Sequence, residues 1–182
     1  MFDDKRSKKV IFLSHCILNQ NSISDGTADM PSQFDAIVNL LISEKVGIIQ
    51  LPCPEFLCLG LARRDEDGSK RELLIENTRI RALMCEDENR EMLRNRAQEI
   101  AVQLEDYRKY GFKILGLVGI NRSPSCGVDT TTLDGREVEG RGVFMKILED
   151  ELSLKNIRLK MVGVKTNREE ESAEKVRSLL AG

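Results

Sequence analysis

Lys113-Ile114-Leu115-Gly116-Leu117-Val118-Gly119-Ile120 is almost wholly apolar. A strand with no polar face to offer to water belongs inside a parallel sheet, covered on both sides. The chain runs from it into Ser123-Pro124-Ser125-Cys126-Gly127, turn-forming residues around a thiol. The same pattern occurs twice more. Val10-Ile11-Phe12-Leu13 leads to Cys16, and Val46 to Leu51 leads to Cys53, which Pro52 and Pro54 bracket. Residues 16, 53 and 126 are too far apart in sequence for a local zinc knuckle, so only the fold can bring them together. If the three strands are parallel neighbours, their C-terminal ends share one edge, where open α/β sheets bind ligands. The three thiols then converge.

Working outward, Lys8 to Ser14 reads as the first strand and Gly47 to Leu51 as the second, with Lys113 to Ile120 third and Arg158 to Val164 fourth. Pro31 starts a helix whose apolar face is Phe34, Ile37, Val38, Leu41 and Ile42. Asp87 to Tyr110 carries the clearest helical period, through Leu93, Ala97, Ile100, Leu104 and Tyr107, and Gly111 supplies its stop. Gly142 to Leu152 predicts another helix. Asn167 with Glu170 resembles a capping box for the last one. Cys53-Pro54-Glu55 is expected in a loop. The charged stretch from Arg63 to Glu72 is expected to be solvated, with Arg63 or Arg64 close enough to Cys53 to hold an anionic or carbonyl-bearing substrate. Alternating strands and helices predict an α/β fold: a single layered domain over residues 1–182, with a mainly parallel sheet of about four to five strands and helices on both faces.

Composition excludes several classes. A chain of 182 residues with net charge −2 and a pI near 5.7 lacks the basic face of a nucleic-acid binder. Aromatic residues make up 4% and Trp is absent, which leaves no base-stacking platform. The most apolar long stretch, Val46 to Ala62, contains Glu55 and two prolines, so no membrane partner is expected. The charged start has no apolar signal region, and a cytoplasmic location is expected. In that compartment five cysteines do not read as a disulfide framework. Cys85 reads as a buried small hydrophobe, while Cys58, in the same loop as Cys53, is open to either reading.

Thiolates hold iron–sulfur clusters, and cysteine also binds zinc. A [4Fe-4S] cluster normally takes four cysteines, so three leave one iron open for chemistry. His15 is the single histidine; on an extended segment it points away from Cys16 and reads as a core or supporting residue. Glu55, two residues from Cys53, suits a proton shuttle as well as it suits a helix-start or salt-bridge carboxylate.

Cys53-Pro54-Glu55, Ser123-Pro124-Ser125-Cys126-Gly127, and Asp134-Gly135 followed by Gly140-Arg141-Gly142-Val143 resemble the thiouracil desulfidase family. Cys16-Ile17-Leu18-Asn19 occupies the place of that family's first motif, Cys-Leu-Leu-Gly, and Asp25-Gly26 matches its downstream Asp-Gly. The resemblance spans roughly residues 9 to 152. It implies a [4Fe-4S] cluster held by Cys16, Cys53 and Cys126, with the open iron taking sulfur from a small thiocarbonyl substrate without net redox change. Glu55 and Ser123 carry over as the candidates for proton transfer and substrate contact. The sequence departs from the family where a second early Cys is Ser22, where Gly-Gly-Leu reads Cys58-Leu59-Gly60-Leu61, and in an expanded 63–87 region. A non-catalytic metal module, binding zinc or carrying a cluster, remains the alternative, and a cofactor-free protein with core cysteines is a third reading.

Overall fold

A computed structural model describes residues 2–181. Its strands are β1 (Lys9–Leu13), β2 (Gly47–Gln50), β3 (Lys113–Ile120), β4 (Thr130–Leu133), β5 (Arg136–Glu139) and β6 (Met161–Val164). Its helices are α1 (His15–Leu18), α2 (Asp35–Ser43), α3 (Pro54–Leu59), α4 (Leu73–Met84), α5 (Asp87–Lys109), α6 (Val143–Leu154) and α7 (Glu169–Ala181). Four strands form one sheet in the order β2-β1-β3-β6, every neighbouring pair parallel. Helices α2 and α7 cover one face; α5 and α6, with α4, cover the other. The fold is α/β, as the sequence predicts.

The strands divide their side chains between two cores. Ile11 and Leu13 of β1 join the α2/α7 core, while Phe12 joins the α5/α6 core. In β3 this alternation slips: Leu115 and Val118 face the first core and Leu117 the second. Pairing with β1 shifts register here, and Gly116 has a φ of 153°. A Cβ on Gly116 would lie 2.7 Å from the Lys160 carbonyl. Glycine therefore lets β3 bulge and bring its last residues into register with β6.

Several boundaries differ from expectation for identifiable reasons. Helix α2 starts at Asp35 rather than Pro31, because the preceding backbone is engaged elsewhere. Ser32 O accepts from Gln20 N at 2.5 Å, and Phe34 N donates to Ile17 O at 2.9 Å. The last helix starts at Glu169, and Ser172 Oγ, rather than an Asn167 box, bonds both N and O of Lys165. Cys53-Pro54-Glu55 opens helix α3 instead of lying in a loop. Beyond Arg63 the chain makes helix α4 after a 3-10 turn at Gly68–Lys70. Strands β4 and β5 form a separate hairpin whose turn, Asp134-Gly135, has φ values of 48° and 69°, the left-handed pair of a type I′ turn. Among the described residues, no helix is long and apolar enough to cross a membrane.

The order of strands reverses between β1 and β3. In open α/β sheets that reversal opens a crevice at the carboxyl ends of the strands.

Candidate functional site

All three cysteines leave the sheet at this crevice. Cys16 lies in α1, directly after β1; Cys53 follows β2 and precedes α3; Cys126 lies in the loop after β3. The backbone past each strand stays tied to its neighbour. Ser14 N donates to Val118 O at 2.9 Å, Leu51 N to Leu13 O at 2.8 Å, and Asn121 N to Val164 O at 2.8 Å. Cys16, Cys53 and Cys126 line one pocket with Glu55, Ser123 and Ser125. The pocket holds about 70 Å³, several times the roughly 10–15 Å³ that one water needs. Arg122 and Lys165 stand at the same pocket, Lys165 paired with Glu137 at 2.7 Å.

Local chemistry explains each placement. Cys53 caps α3: its Sγ accepts from Phe56 N at 3.5 Å, and Pro54 takes the first helical position, where its missing N–H costs nothing. Glu55 is then fixed in the first turn, 7% exposed, facing inward. The Ser-Pro-Ser-Cys-Gly loop closes on itself through Ser123 Oγ, which accepts from Cys126 N at 2.9 Å and from Ser125 N at 3.3 Å. Gly142, at the start of α6, has no room for a Cβ: it would run into the Ser125 carbonyl. The loop and α6 therefore pack backbone to backbone.

The carboxylate of Glu55 is fully engaged. Its Oε1 accepts from Ser125 Oγ at 2.6 Å, and its Oε2 accepts from Arg63 Nε at 3.0 Å. Ser123 Oγ stands 3.3 Å from Ser125 Oγ, so the two hydroxyls and the carboxylate form a short chain. Of the motif's two hydroxyls, Ser123 is the candidate the resemblance carries over, whereas Ser125 is the one that meets Glu55. Nothing in the spacing of the two serines tells which one does so.

Arg63 faces the site, but not as a substrate ligand. It is 1% exposed, and its guanidinium is spent on Glu55, on backbone carbonyls and on Cys53. Arg64 is exposed and pairs with Glu86 at 3.0 Å. Parts of the charged stretch are not merely solvated: Arg71 bonds Asp65 at 2.6 Å and Glu76 at 3.2 Å, tying the segment onto α4.

The other two cysteines lie off the pocket. Cys58, on α3, is buried against Met92 with its Sγ 3.8 Å from the thioether, and burial pushes its thiol up to about 11. Cys85 corrects the sequence reading. It is exposed, because it ends α4 at the corner with α5 rather than facing the core. His15 is half-buried, with its Nε2 3.3 Å from Asn19 Nδ2.

The donor set suits a metal-bound sulfur. Burial raises the proton affinity of all three thiols, and the proximity of Cys126, Cys53 and Glu55 raises that of Cys16 further. Such thiols stay protonated until a cation takes the proton's place. Donors already point at Cys53, from Phe56 N and Arg63 Nη2, while Ser125 Oγ lies 3.7 Å from the Cys126 sulfur with its proton committed to Glu55. Ser14 Oγ is buried without a hydrogen-bond partner, yet lies near enough to Cys126 to favour its thiolate. Among the described residues, no three His, Cys, Asp or Glu side chains are grouped as ligands of one metal ion.

No family model matches the chain. A solved structure of a [4Fe-4S]-dependent thiouracil desulfidase, TudS, is similar over 93% of this chain and 99% of that one, at 19% identity and a TM-score of 0.43. The uncharacterized protein MJ0003 of Methanocaldococcus jannaschii is 31% identical over 157 residues, covering 86% of each chain. At that identity over most of both chains, this protein belongs to the family of MJ0003.

Proposed function

We propose that the protein is a [4Fe-4S]-dependent desulfidase that hydrolyses a small thiocarbonyl compound, such as a thiolated nucleobase. The observation that carries this reading is the convergence of Cys16, Cys53 and Cys126 in one pocket beside the Glu55–Ser125–Ser123 chain. The motif resemblance to thiouracil desulfidases points the same way. Cys16, Cys53 and Cys126 would hold the cluster, which when bound by three thiolates supplies one open iron as a Lewis acid for sulfur.

The chain's own residues handle protons. Hydrolysis exchanges C=S for C=O: water provides the oxygen, its two protons leave with sulfur as hydrogen sulfide, and no electrons are transferred. Ser125 Oγ–H donates to Glu55, and Ser123 Oγ–H is placed to donate to Ser125. A proton taken from attacking water at the pocket face of Ser123 can therefore pass through Ser125 to the carboxylate and return by the same path to the departing sulfur. Arg63 keeps Glu55 Oε2 occupied, which leaves Oε1 as the working oxygen. Glu55 and Ser125 are buried, which shields that end of the relay from bulk water.

The test is anaerobic sulfide release from 2-thiouracil, 4-thiouracil and simple thioamides by the reconstituted protein. Turnover of at least one of them is expected. A cluster-loaded protein that turns over no thiocarbonyl would contradict catalysis and leave a cluster carrier.

A further inference from the structure

Arg63 is the largest fully buried side chain, an expensive position for a guanidinium. All five of its N–H groups have acceptors. Nε donates to Glu55 Oε2 at 3.0 Å; Nη1 donates to Gly60 O at 2.9 Å and Leu61 O at 3.0 Å; Nη2 donates to Ser22 O at 2.6 Å and reaches Cys53 Sγ at 3.8 Å. These partners come from two separate segments. Ser22 ends the stretch that begins at Cys16, whereas Glu55, Gly60 and Leu61 belong to α3 and the turn after it. No other side chain ties Ser22 O to α3 among the hydrogen bonds of the described residues.

The backbone accepts strain to put this side chain there. Arg63 and Arg64 both have left-handed φ values, 53° and 61°, which side-chain-bearing residues adopt reluctantly. Arg63 O is in turn held by Arg79 Nη2 at 3.0 Å, and Arg79 is bonded to the buried Glu76. The expanded 63–87 region thus anchors the arginine from behind.

We infer that Arg63 is a positioning residue: its guanidinium braces the Cys16–Ser22 segment against the Cys53–Glu55 helix start and fixes the site's spacing before any cluster binds. The brace rests on the desulfidase reading only for what Cys53 holds; the cross-link itself belongs to the bare chain. Charge alone does not suffice, because Lys offers a point charge and three donors in place of the planar five-donor fork.

Arg63→Gln and Arg63→Lys test this in the full chain. In the metal-free protein, amide hydrogen exchange over residues 16–24 and 53–63 should quicken by about 10-fold or more in both variants, with the β3 and α5 amides unchanged. After anaerobic reconstitution both should keep less iron per chain than wild type. The residual cluster in Arg63→Gln should have a more negative reduction potential, because one donor to the Cys53 sulfur is gone. If Arg63→Gln does not fold, Arg63→Lys decides. Wild-type exchange and iron content in a folded variant would overturn the brace. If wild type itself takes up no iron, the proposed function fails, and the exchange measurement still decides the brace.

Discussion

Ser125 Oγ donates to Glu55 Oε1 at 2.6 Å, joining a loop to the first turn of a helix 70 residues away in sequence. Both groups are buried, so the bond is shielded from competing water, and it links the second cysteine's helix to the third cysteine's loop. Ser123, in the same loop, is occupied differently: its oxygen accepts two backbone N–H groups. The two serines should therefore fail in different ways.

Ser125→Ala should keep iron, lose about 10-fold or more in sulfide release because the path to the carboxylate is broken, and cost about 1–3 kcal/mol because buried Glu55 Oε1 loses its donor. Ser123→Ala leaves the Ser125–Glu55 bond in place and should cost about 1 kcal/mol, because two loop N–H groups lose their acceptor. Urea midpoints beside sulfide-release rates measure both. A Ser125→Ala variant as stable and as active as wild type would contradict the role of the bond.

Glu55→Gln should retain iron but cut sulfide release by about 10²-fold, the usual scale for losing a general acid–base. It also leaves Arg63 without its counter-charge, so a stability loss of about 2 kcal/mol is expected, softened because the amide oxygen still accepts. Full activity in Glu55→Gln would remove Glu55 from the chemistry.

Gly142→Ala probes the packing behind the pocket. A Cβ would meet the Ser125 carbonyl, and Gly127 N would lie 2.8 Å away. Displacing the cysteine loop should cost about 1–3 kcal/mol and reduce iron retention. Gly60→Ala serves as the comparison. Its Cβ would meet nothing within 4 Å, and only its left-handed φ of 76° is strained, so stability should fall without loss of iron.

The Glu76 carboxyl is held below its ordinary range, first by its hydrogen bonds from Arg79 and then by the charges of Arg79 and Arg71, against the opposing effect of burial. A depressed folded value stabilises the protein above the unfolded value, near pH 4.3, and that contribution is lost as pH falls through the folded value. Wild type should therefore lose more stability between pH 6 and pH 3 than Glu76→Gln, which should itself be about 2 kcal/mol less stable at pH 7. Parallel pH profiles from urea titrations would refute the role assigned to Glu76.

The sheet was readable because β3 has no polar face and the strands before Cys16 and Cys53 are short and apolar. The convergence of the cysteines followed from parallel neighbours sharing one edge. Other features were less legible. Helix α4 has a weak apolar stripe among charges, and its fold depends on buried Glu76 and Asn77 finding partners in the half-buried Arg79 and the buried Thr132. The β4–β5 hairpin was signalled by Asp134-Gly135, a strong two-residue turn, but its flanks are polar threonines and glutamates that do not alternate. The sequence places Arg63 or Arg64 near Cys53 as a substrate contact but not Arg63 in the interior, because burial of an arginine depends on five acceptors gathered from distant segments. Cys85 looked internal because its helical neighbours are apolar, and only the corner between α4 and α5 turns it outward.

Iron and labile sulfide per chain after anaerobic reconstitution test the central claim most directly. Wild type should bind about four irons; Cys16→Ser, Cys53→Ser and Cys126→Ser should each lose most of them, and Cys58→Ser and Cys85→Ser should keep them. A colourless protein with one zinc, or loss of iron in Cys58→Ser as complete as in Cys53→Ser, would contradict a three-cysteine cluster with an open iron.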